Sequence, residues 1–64
     1  MKISDKQKNA LANGMRRNGI DFNYSVLSSI ESGTASDLIQ ALWSWKESDK
    51  EYFMAQCQHL KIID

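Results

Sequence analysis

Apolar residues recur along this chain at helical spacing, and hydroxyl residues stand where helices would be capped. Leu11, Ala12 and Met15, joined by the stem of Lys8, form one inward stripe and predict a helix from Asp5 to Arg17. Ser4-Asp5-Lys6-Gln7 opens it as a capping box, the hydroxyl accepting from the third backbone N–H and the amide reaching back. Asn18-Gly19 closes it, with Gly19 free to turn left-handed and Ile20 placed to touch Met15, as in a Schellman ending. Gly14, inside the helix, is a weak point where the chain is expected to bend or fray, since Gly costs about 1 kcal/mol relative to Ala.

Phe22, Val26, Leu27 and Ile30 predict a short helix of two turns that ends before Ser32-Gly33, against the low propensity of the serines and Val26. Thr34-Ala35-Ser36-Asp37 reads as the start of a third helix with Ala35, Leu38, Ile39 and Leu42 inward. Trp43 and Trp45 flank that stripe, which at 100° per residue is about 160° wide. Ser48-Asp49-Lys50-Glu51 reads as a fourth start, with Phe53, Cys57 and Leu60 inward. With no Gly or Pro between them, the alternative is one continuous rod from Ala35 to Leu60. Ile62 and Ile63 are expected to dock the C-terminus. No segment alternates as a strand does, so the expected fold is all-α: a single small bundle of three to four helices, one domain over residues 1–64. Its expected core is Leu11, Met15, Ile20, Phe22, Val26, Leu27, Ile30, Leu38, Ile39, Leu42, Phe53, Cys57 and Leu60.

Composition narrows the function. Eight Lys+Arg balance eight Asp+Glu, which argues against a strongly basic nucleic-acid module. One Cys excludes an internal disulfide and favours a reducing home, and the MKISDKQK start has no apolar signal region. The expected location is the cytoplasm, that of the host cell if the protein is phage-encoded. One His and one Cys do not make a structural zinc site, so no metal and no cofactor is expected. Cys57 and His59 point about 200° apart on a helix and form no nucleophile–base pair. Cys57 reads as a small buried hydrophobe and His59 as a solvated helix-end residue; no small-molecule substrate or catalytic residue is expected.

Two sets of residues remain as candidate sites. Trp43, Trp45, Tyr52 and Met54 supply aromatic and apolar bulk for a protein partner. The tryptophans differ by about 200° on a helix, so at least one lies at the rim of the core or outside it. The second set is basic: residues 1–20 carry Lys2, Lys6, Lys8, Arg16 and Arg17 against Asp5 alone. Lys6, Asn9, Asn13 and Arg17 share one outward ridge, and with Arg16 they offer cations for phosphates and amides for base edges. Five cations are few for tight binding, so any nucleic-acid affinity is expected to be weak and salt-sensitive.

Ile3-Ser4-Asp5-Lys6-Gln7, Gly19-Ile20-Asp21 and Ala35-Ser36-Asp37-Leu38-Ile39 with Leu42 together resemble a small helical module. That module is found alone or appended to phage and bacterial DNA-metabolism proteins. The resemblance covers about residues 3–42 and implies a phage or prophage setting, a DNA-associated or protein-binding accessory role, and no catalytic residues. The expectation is therefore a non-enzymatic binding module acting on a protein partner or on itself, with no membrane involvement. A homodimer through Leu38 to Leu60 is expected. The alternatives are a weak nucleic-acid-binding accessory protein and a small inhibitor of a host enzyme.

Overall fold

Three α-helices and one 3-10 helix follow each other along the chain in the computed structural model, which describes residues 1–63. Helix α1 spans Asp5–Arg17, the 3-10 helix Tyr24–Ser29, α2 Ser32–Ser44 and α3 Glu47–His59. The all-α reading holds: among the described residues the one β feature is an isolated antiparallel bridge between Lys2 and Glu31. No helix is long and apolar enough to cross a membrane among those residues.

Helix α1 begins and ends as its sequence predicts. The Gln7 N–H donates to Ser4 Oγ at 3.1 Å and the Ser4 N–H to Gln7 Oε1 at 3.1 Å, the two halves of a capping box. At the other end Gly19 takes φ 69°, and the Ile20 N–H donates to the Met15 carbonyl at 2.9 Å while Gly19 donates to Arg16 at 3.1 Å. That pair of bonds is a Schellman ending. Helix α3 ends the same way with Lys61 at φ 66°, Ile62 donating to the Cys57 carbonyl at 2.8 Å.

The expected weak point at Gly14 is instead where α2 comes closest. Helix α1 runs through it without a break, and a Cβ built there would stand 2.8 Å from Leu42 Cδ1. The missing side chain lets the Leu42 side chain sit against the α1 backbone, which offsets the lost helix propensity with packing. The two helices lie side by side with their N-termini at the same end. Gln7 of α1 donates to the Ser32 carbonyl and accepts from the Ser32 hydroxyl, both at 3.2 Å.

Four expectations are corrected. The segment Phe22–Ile30 forms a 3-10 helix over Tyr24–Ser29 rather than two α-turns; the Ser29 hydroxyl donates back to the Val26 carbonyl at 2.8 Å, the local competition that lowers serine helix propensity. Helix α2 starts at Ser32, not after Thr34, and its N-cap is Glu31 with no side-chain cap bond. Its start is fixed by distant chain: Ser32 donates to the Met1 carbonyl at 2.7 Å, Ile3 donates to Ile30 at 2.9 Å, and the Glu31 carboxylate holds the terminal amine at 3.0 Å and Lys2 at 3.5 Å. Helix α3 starts at Glu47 rather than after Ser48, because the Asp49 carboxylate accepts from the Lys46 N–H at 3.1 Å and from the Ser44 hydroxyl. There is also no continuous rod. Trp45 turns left-handed at φ 45° without being glycine, and its ring meets Phe53 edge to face at 5.3 Å and 78°, so packing across the turn holds the break.

The core has Leu11, Met15, Leu27, Leu38, Phe53 and Cys57 fully enclosed, with Ile30 and Leu42 nearly so. Ala12, Ala35, Ala41 and the docked Ile62 complete it. Ile20, Phe22, Val26, Ile39 and Leu60, expected inside, are half-buried at its margin.

Candidate functional site

The end of the bundle where α1 and α2 both terminate brings the two sequence-predicted sets together. Asn13 and Arg17 of α1 and Trp43 and Trp45 of α2 line one open cleft of about 360 Å³, floored by Ala10, Gly14, Ile39 and Leu42. Size does not distinguish it, since other surface recesses measure about 290 to 370 Å³. Its lining does. Trp43 is 82% exposed, and an indole left in water beside an apolar floor is a feature of binding surfaces.

The cleft exists because of two backbone decisions already described. Gly14 admits Leu42 against α1, which closes the floor. The left-handed Trp45 turns its ring inward onto Phe53, so Trp45 forms a half-buried wall while Trp43 stays outside. The other two partner candidates lie apart from this cleft. Tyr52, 40% exposed, faces recesses lined by Asp37, Gln40, Ser44 and Asp49 and by Ala55, Gln56 and His59. Met54, expected on the surface, is half-buried against the core. Trp45 and Met54 therefore add less exposed apolar surface to the second half of the chain than the sequence suggests.

The basic set is divided in a similar way. Lys6, Asn9, Asn13 and Arg17 are all exposed along one ridge of α1. Arg16 is on another side, its guanidinium 5.7 Å from the Phe22 ring centre and 6.0 Å from that of Tyr24, the distance range of cation–π attraction. Lys2 pairs with Glu31 and Lys8 with Asp5 at 4.0 Å. Of the five early cations, Lys6, Arg16 and Arg17 have no ion-pair partner among the described residues, and of these Arg16 is engaged with the Phe22 and Tyr24 rings. The Arg16–Phe22–Tyr24 cluster was not legible in the sequence as a unit; an Arg followed by two aromatics beyond a glycine cap is its only signal.

Electrostatics elsewhere serve the turns. The terminal amine, first by hydrogen bond and then by charge, holds the Glu31 carboxyl below its ordinary value. The Ser44 hydroxyl, and after it the Lys46 N–H, does the same for Asp49. Burial pushes the Cys57 thiol up to about 12, and with no exposed surface it is a packed hydrophobe rather than a nucleophile. Comparison of the chain with family models, with curated proteins and with solved structures yields no match.

Proposed function

We propose that this chain is a non-enzymatic binding module that takes a protein partner, a second copy of itself included, on the α1–α2 cleft beside Trp43. The observation that carries this reading is the 82% exposure of Trp43 at the edge of a cleft that also holds Arg17, Asn13 and the wall of Trp45. Trp and Arg dominate interface energetics because they bury large area while keeping a polar handle. The nucleic-acid alternative draws less support, since Lys2, Lys8 and Arg16 are engaged within the chain. The buried thiol and the divided polar residues favour binding over catalysis.

Affinity capture from cells that make the protein, run side by side for the wild type and Trp43→Ala, tests the proposal. Surface substitutions usually alter stability by no more than about 0.5 kcal/mol, so both baits remain folded and comparable. A protein retained by the wild type and lost by Trp43→Ala supports the reading. An identical set of captured proteins, or capture by neither bait, refutes it.

A further inference from the structure

We infer that the segment bound in this cleft is acidic: a peptide stretch that seats an apolar or aromatic side chain against Trp43 and sets a carboxylate on Arg17. This rests on the proposed binding face and names the chemistry of its partner. Among the described residues Arg17 is the one ionisable group in the cleft lining, and no carboxylate of theirs shares that lining. Its guanidinium has no ion-pair partner among the described residues, and neither has Lys6 on the same ridge of α1. The acids of residues 21–45 are elsewhere: Asp21 lines recesses beside Phe22, Glu31 is held by the terminal amine and Lys2, and Asp37 lies with Asp49 in a different recess. A chain of zero net charge thus has an uncompensated positive charge at the rim of this cleft.

Three carbonyls at the end of α1, which would otherwise repel a carboxylate, are hydrogen-bonded within the chain. Gly14, Met15 and Arg16 accept from Asn18 Nδ2, Ile20 and Gly19 at 2.8 to 3.1 Å, and among the polar side chains of the lining, Asn13, Arg17 and Asn18, the Arg17 fork is the cation, which suits a carboxylate. A nucleic-acid strand fits the same face less well. It needs several cations to hold successive phosphates and repeated stacking platforms, and here one cation, Arg17, stands beside one exposed indole.

The test is selection from a displayed library of random dodecamer peptides on the wild type, with counter-selection on Trp43→Ala. The enriched peptides are synthesised and titrated by fluorescence polarisation. The expected winners carry Asp or Glu within a few residues of Leu, Phe or Trp, and lose at least tenfold in affinity to Arg17→Glu. Arg17→Lys should restore part of the loss. Trp43-dependent peptides that are neutral or basic, or that ignore Arg17→Glu, overturn the acidic assignment while leaving the binding face in place. No Trp43-dependent peptide at all overturns both. An oligo-dT dodecamer titrated in parallel at low salt serves as the competing probe; Arg17-dependent binding of it tighter than that of any selected peptide assigns the cleft to nucleic acid and overturns the proposal.

Discussion

Replacing Trp45 by glycine should leave the protein more stable than replacing it by alanine, against the usual order of these residues near a helix end. Both changes remove the same half-buried indole and its edge-to-face contact with Phe53. The shared loss is about 2 kcal/mol, less than the roughly 3–5 kcal/mol of a fully buried Trp→Ala change. What differs is the backbone. At φ 45° a residue with a Cβ pays about 1–2 kcal/mol in steric crowding, and glycine does not. Glycine returns about 0.5–1 kcal/mol of that through its freer unfolded chain, leaving the glycine variant ahead by about 0.5–1 kcal/mol. In a chain this short that is a gap of about 4–7 °C in melting temperature. Paired thermal and urea melts read it directly, with a fixed concentration of trimethylamine N-oxide holding both variants folded at the start. Ser36, exposed within α2, is the control: there glycine should be worse than alanine by about 1 kcal/mol. An alanine variant at 45 equal to or more stable than the glycine variant would refute the left-handed turn, and with it the break between α2 and α3.

The two helical glycines should respond in opposite ways to alanine. Gly33→Ala, with nothing within 4 Å of the added carbon, should stabilise by up to about 1 kcal/mol in urea melts; Gly14→Ala, facing Leu42 Cδ1 at 2.8 Å, should gain nothing, because about 1–3 kcal/mol of overpacking opposes the same propensity. Asp49 is held below its ordinary 3.8 by Ser44 and Lys46, so its contribution is present at neutral pH and is lost as pH falls below that value through the lowered folded one. Asp49→Asn should flatten this acid limb of the stability curve, and an unchanged limb would count against the Asp49 cap. Cys57, raised from 9.0 to about 12, works in the other direction: the unfolded thiol ionises first, so stability should fall as pH rises from 9 toward 12, and Cys57→Ala should lack that limb. The native thiol should also resist a disulfide exchange reagent at neutral pH until denaturant is added, and immediate reaction would show that it is accessible.

What could be read from the chain was mostly local. The Ser4–Gln7 box and the Gly19–Ile20–Met15 ending involve residues within five of one another, so their chemistry is written in consecutive letters. The starts of α2 and α3 were misread because a second set of groups competes for them. Glu31 and Ser32 are held by Met1–Ile3 and Gln7, and Asp49 reaches Lys46 and Ser44 instead of leaving the cap to Ser48. Trp45 carries no sequence signal for a left-handed turn; its conformation follows from a contact with Phe53. The candidate site was legible as two unrelated halves. Trp43 and Trp45 suggested one kind of partner, Asn13 and Arg17 another, and the side-by-side packing of α1 on α2 at Gly14 puts them in one cleft.

The most direct test of the binding face is site-specific photo-crosslinking in cells that make the protein. A benzophenone amino acid placed at 43 keeps an aromatic ring in the cleft, and the same group at Ala55, an exposed α3 position on another face, is the control. Irradiation should give a discrete protein adduct from position 43, weakened at least tenfold by adding Arg17→Glu, with little or none from position 55. Adducts of equal yield from both positions, or from 55 alone, would contradict a binding face at Trp43.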